Sequence, residues 1–188
     1  MADRDVVLGA SDRCVLADVA RVGFYDGKGA PEDDLLPSCV KAILKLRGED
    51  LGFLGRPGAR DPWHDLHCYL LGMSGCGFRF ACHPAKWSMA DGSPWMVYED
   101  PTESVRRALA VAGRPCETSL RASFVKEHGG HADPKATEAA WRKRIVDSIR
   151  NRGMPVVAIG VIGPPEPCLI TGYDDGGAVL IGWERLSG

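Results

Sequence analysis

The order of patterns along this chain predicts an α+β fold. Helix-period patterning runs up to Gly153 and then stops. Three short runs follow, MPVVAIGVIG, CLITGYD and AVLIGW, each rich in β-branched and aliphatic residues. An Asp-Gly step in YDDGGAV joins the last two, a strong hairpin signal. Helices first and antiparallel strands last set this pattern apart from a doubly wound sheet, where the two alternate.

At 188 residues the chain is expected to form a single domain, residues 1–188, with a helical part over about 1–153 and strands over about 154–184. A formal net charge of −2, with no lysine or arginine run, points away from nucleic acid and anionic membranes as partners. No apolar run approaches the ~20 residues of a membrane span, and the amino-terminal MADRDVVLGASDRC has no signal-peptide core. A cytoplasmic location is the default expectation. There, seven cysteines read as thiols rather than as a disulfide scaffold.

Near the amino terminus DVVL is a candidate strand, followed by a Gly/Pro/Asp-rich loop. In LPSCVKAILKLRGED the apolar residues Leu36, Cys39, Val40, Ile43 and Leu44 recur at helical spacing. Pro37 suits the first turn of that helix and Gly48 its stop, so the helix is expected over 37–47 with Cys39 in its first turn. HDLHCYLLGMSG predicts a second helix with Leu66, Tyr69, Leu70 and Met73 on one face, and CGFRFAC alternates like a strand. HPAKWSMADGSPWMVYED is irregular. PTESVRRALAVAGRP predicts a helix capped by Thr102 and closed by Gly113. DPKATEAAWRKRIVDSIRNRG predicts another, with Asp133 as cap, Pro134 in the first turn, Trp141, Ile145 and Ile149 inward, and Gly153 as stop.

A cysteine near a helix amino terminus has a chemical advantage, because the unpaired N–H groups and the dipole favour the thiolate. The thiolate is the nucleophile of cysteine hydrolases and acyltransferases, which also need a base and a residue that orients it. Cys39 is the candidate. Packing as a small hydrophobe is the competing account for it and for every other cysteine here.

PEDDLLPSCVKAILKLRGED, LLGMSGCGFRF and RGMPVVAIGVIGPPEPCLITGYDDGGAVLIGW together resemble the papain-like C39-type peptidase superfamily. They resemble more closely the group of the butirosin-biosynthesis protein H amino-terminal domain and related bacterial proteins. The matching pieces fall within residues 20–185. The resemblance implies a cysteine helix packed on an antiparallel sheet, with the nucleophile at Cys39 and the base at the head of the LITGYDD strand. That slot, usually histidine, holds Cys168, which cannot serve as an imidazole base. Asp33 stands where an oxyanion glutamine is expected, and a carboxylate repels an oxyanion.

The resemblance therefore implies the fold ahead of proteolysis. The expected function is a non-proteolytic, C39-like protein that binds a small molecule or peptide in a cleft lined by Cys39 and Cys168, with Asp33, Trp183 and His83 as further pocket residues. The alternative is a thiol-dependent acyltransferase or amide hydrolase with Cys39 as nucleophile and His83, His64 or His67 as base. A third reading pairs thiols in a disulfide or on a soft metal. No cofactor is implied, and an acyl carrier protein is a possible partner through the butirosin-type likeness.

HDLHC and CGFRFACH match no standard zinc spacing, and GMSGCGF lacks the Lys-Ser/Thr of a phosphate loop. No metal site is expected. Trp87 and Trp95, in the irregular segment, are core residues or the wall of a pocket.

Overall fold

A computed structural model describes residues 6–8, 12–22, 35–49, 62–75, 102–111, 113–114, 116–120, 133, 137–161 and 167–183. These combine helices with an antiparallel sheet, as the order of patterns predicts. The chain divides into two compact units, one formed by Met1–Asp50 with Glu138–Gly188 and the other by Leu51–Thr137.

The first unit is built on a sheet. Its strands are β1 (Val6–Leu8), β2 (Cys14–Leu16), β3 (Val156–Ile159), β4 (Pro167–Asp174) and β5 (Val179–Trp183). Every pairing is antiparallel. β4 is the centre. β5 lies along one side of it, while β3 pairs with Pro167–Ile170 and β2 with Gly172 and Tyr173 on the other; β1 continues outward from β2. The sheet is thus not confined to the last third of the chain, because two strands come from its first sixteen residues. DVVL contributes β1, but β2 is too short for its alternation to be read from sequence.

Adjacent residues of a strand point to opposite faces, and β4 sorts its side chains accordingly. Leu169 joins Val22, Leu35, Cys39 and Ala42 in one core cluster. Ile170 and Tyr173 join Cys14, Leu16 and Ile149 in another. Ile170 and Tyr173 are three apart yet share a face, because a bulge between Ile170 and Gly172 shifts the register.

Helix α1 (Leu35–Leu46) covers the Leu169 face. It starts two residues ahead of the expected span and stops where expected, with Gly48 at φ 63° and its N–H on the Lys45 carbonyl. The other face takes the helix Glu138–Arg152, which is α4 in chain order. Asp133 does not cap it: the Asp133 N–H bonds to the Leu120 carbonyl and its carboxylate accepts from the Ser119 hydroxyl, so the helix begins five residues later, at Glu138. Ile149 is fully buried and Ile145 and Val146 pack beside it; Gly153, at φ 60°, ends the helix.

The hairpin turn is a short 3-10 segment, Asp175–Gly177, rather than a two-residue loop. Arg142 of α4 ties it down. Its Nη1 donates to the carbonyls of Gly177 and Ala178 at 2.8 and 2.9 Å, while Nε and Nη2 bind Glu138.

In the second unit, α2 (Pro62–Met73) packs on α3 (Glu103–Val111). The buried face of α2 is Leu66, His67 and Leu70, continuing to Ser74; Met73, expected inward, is exposed. Thr102 directly precedes α3, and its hydroxyl accepts from the Arg106 guanidinium. Gly113 closes that helix at φ 70°. The expected strand CGFRFAC and the irregular segment with Trp87 and Trp95 lie outside the described residues.

Close approach of β5 to β4 sets the tightest tolerance in the sheet. A Cβ on Gly182 would stand 2.2 Å from the Leu169 carbonyl oxygen and 2.9 Å from Ile170 Cα, both backbone atoms. Gly182→Ala is therefore expected to cost about 2 kcal/mol, read as a lower urea midpoint at unchanged slope. Gly153→Ala meets nothing within 4 Å but must hold a left-handed φ, so its expected cost is about 1 kcal/mol.

Candidate functional site around Cys39 and Trp183

Cys39 is the fifth residue of α1 and is completely buried. The helix begins early enough that Cys39 sits beyond the first four residues, whose N–H groups lack intrahelical partners. The benefit of the helix dipole falls off over that same turn. Around Cys39 lie Leu35, Ala42, Val22 and Leu169, with Val157, Ile43 and Trp183 packed against them.

Trp183 reaches this cluster through strand register. It is the Cα partner of Leu169, so both side chains share the face covered by α1. Trp183 is half-buried, and the exposed Arg21 guanidinium carbon lies 5.7 Å from its ring centre. That distance is within reach of a cation–π attraction. Trp183 and the fully buried Cys39 thus belong to one apolar cluster.

Cys39 and Cys168, expected to line one cleft, lie in different clusters. Cys168 is the Cα partner of Ala158, and both pack with Ile149 and Ile170 on the α4 face. The reason is the two-residue period of β4: once Leu169 turns toward Cys39, Cys168 must turn away. Cys39 and Cys168 are thiols, not halves of a disulfide. Asp33 and His83, the other expected pocket residues, lie outside the described residues, as do the side chain of His64 and all of Cys76 and Cys82. On α2, His67 is buried and Cys68 exposed, so these two point apart. Among the described residues no group of three histidine, cysteine or acidic side chains converges as a metal site.

The strongest polar features of the sheet were not singled out by sequence reasoning. Cys14, on β2, is fully buried opposite Tyr173 on β4. Burial pushes the Cys14 thiol up, and the positive charge of Arg150 opposes this in part. Tyr173 is fully buried too, beneath the Arg150 guanidinium. A sequence signal existed only for Tyr173, as the polar-tipped residue of an otherwise aliphatic strand. In the other unit, burial likewise raises Cys116, with Arg106 opposing.

No family model, curated protein or solved structure matches this chain. No helix among the described residues is long and apolar enough to cross a membrane.

The raised thiols make stability depend on alkaline pH. The folded chain holds the Cys14 and Cys116 protons above the pH at which the unfolded chain, with thiols near the usual 9.0, gives them up. Their contribution is complete below that value and is lost as pH rises through the folded values. Between about pH 8 and about pH 10 the urea midpoint is expected to fall. Cys14→Ala should lower the midpoint at pH 7 by creating a cavity, and flatten the alkaline decline.

Proposed function

We propose that this chain is a non-proteolytic, C39-like binding protein. Its ligand, a small molecule or peptide, sits at the rim where Trp183 and Arg21 border the Cys39 cluster. The observation that carries this reading is the complete burial of Cys39 among apolar side chains. A nucleophile must meet its carbonyl carbon at contact distance, and this sulfur lies beneath packed residues. The strand-head residue opposes catalysis as well: Cys168 is no base and faces the other helix.

At the rim the chemistry suits recognition. A half-buried indole offers a flat apolar surface, and a guanidinium offers donors to an acceptor or anionic group. The ligand class this favours is a planar or aliphatic moiety that carries a carboxylate, phosphate or carbonyl. A reducing, cytoplasmic setting accords with cysteines kept as thiols.

The alternative, a thiol acyltransferase or amide hydrolase, draws on the place of Cys39 in the amino-terminal half of α1. Alkylation by iodoacetamide across pH, with peptide mapping of wild type and Cys39→Ser, separates the two. Under the binding reading, native Cys39 labels at least ~100-fold more slowly than exposed Cys68, because it reacts only through opening of the fold. Labelling of Cys39 ahead of Cys68, with an apparent pKa well below about 8.5, would establish an activated thiol and the enzyme reading.

A further inference from the structure

α1 and α4 cover opposite faces of the sheet, yet their carboxy-terminal ends meet. Leu46, the last residue of α1, packs against the core cluster that Ile149 of α4 joins. Arg47 follows it, and its Nη1 donates to the Met154 sulfur at 3.8 Å. Both partners are held in place. The Arg47 Nε donates to the Glu49 carboxylate at 2.8 Å, which orients the planar guanidinium. Met154 lies just beyond α4, and Ser148 anchors its backbone at both polar atoms. The Met154 N–H donates to the Ser148 carbonyl at 3.0 Å, and the Ser148 hydroxyl donates to the Met154 carbonyl at 3.0 Å.

The side-chain pair is chemically unequal. A guanidinium is a permanently charged donor, whereas a thioether is a weak acceptor. Oxidation to the sulfoxide gives methionine a polar oxygen. A bond from a charged donor to oxygen is among the strong hydrogen bonds of proteins. In a closed apolar core the same change disrupts packing. Here Met154 is half-buried and Arg47 is exposed, so the sulfur is open to a small oxidant and its product oxygen has a donor waiting.

We propose that Met154 is a reversible oxidation site whose sulfoxide oxygen is received by Arg47, tightening the contact between the ends of α1 and α4. The oxidant is a hydroperoxide. The sulfur lone pair attacks the terminal peroxide oxygen, and an S–O bond forms as the O–O bond breaks. The proton of the attacked oxygen passes to the departing oxygen, which leaves as water or an alcohol. Sulfur is oxidised and the peroxide reduced. A dithiol reductase reverses the step: the sulfoxide oxygen leaves as water and the dithiol becomes a disulfide. This site does not rest on the binding reading of the Cys39 rim, since it involves neither Trp183 nor Arg21.

Hydrogen peroxide treatment of the full chain, with peptide mapping and then urea unfolding, tests the assignment. Exposed Met73 is the internal reference, and Met154 is expected to convert alongside it in the folded protein. Met154→Leu records what oxidation of the other methionines does to stability. Against that baseline, oxidised wild type should lose less stability and oxidised Arg47→Ala more. The two losses should differ by about fivefold in the folded-to-unfolded ratio. A spectrum of the wild type keeps the test open should a variant not fold: the Arg47 guanidinium protons should move downfield on oxidation, as their acceptor changes from sulfur to oxygen. Met154 left intact after Met73 has fully converted would overturn the proposal. So would an oxidised wild type that loses as much stability as oxidised Arg47→Ala, or guanidinium resonances that stay in place once Met154 is oxidised.

Discussion

Everything in the sheet unit depends on β4 being buried on both faces and paired on both edges. Its residues from Pro167 to Tyr173 are buried except for the half-buried Cys168, and it bonds to β2, β3 and β5. A strand in that position must satisfy two helices at once. It does so by alternation, sending Leu169 to α1 and Ile170 to α4. The bulge after Ile170 then returns Tyr173 to the α4 face, which alternation alone would have assigned to α1. Gly172 and Gly182 belong to the same constraint: each lies where a Cβ would strike the backbone of a neighbouring strand.

This sorting decides what Cys39 can do. α1 is drawn onto the sheet by Leu35, Ala42 and Leu169, and Cys39 is carried into the same apolar layer. Trp183 follows because β5 pairs it with Leu169. Cys168, one residue away on the same strand, is sent to the other side of the sheet. A thiol pair across a cleft is thereby replaced by two thiols in two cores. What borders the Cys39 cluster is an indole and a guanidinium, Trp183 and Arg21, and the binding role proposed above rests on that rim.

The same strand binds the chain ends together. Residues from the first sixteen positions and from the last thirty form one ladder, with Cys14 opposite Tyr173. The Leu51–Thr137 unit is inserted between the two parts of the sheet unit. Arg142 adds a polar fastening at the hairpin. As a charged donor to two carbonyls it contributes more than the exposed Arg13–Asp174 pair, which solvent screens.

Local signals determined a good deal. The apolar spacing of Leu36, Cys39, Val40, Ile43 and Leu44 sufficed for α1, because a helix against a sheet must present one continuous stripe. Gly48, Gly113 and Gly153 marked three helix ends, because a left-handed residue there costs glycine least. The Asp-Asp-Gly-Gly run marked the β4–β5 hairpin for the same reason. Tertiary structure decided the rest. β2 is three residues long and is held as a strand between β1 and β4. Asp133 carries a cap's chemistry, but its carboxylate accepts from Ser119 and the helix starts at Glu138. Whether Cys168 faces Cys39 rests on the parity of one strand, and the placement of Tyr173 rests on one bulge. Parity and register are properties of the pairing between strands. No single segment of sequence contains them, so they become fixed only when the core closes on both faces of β4.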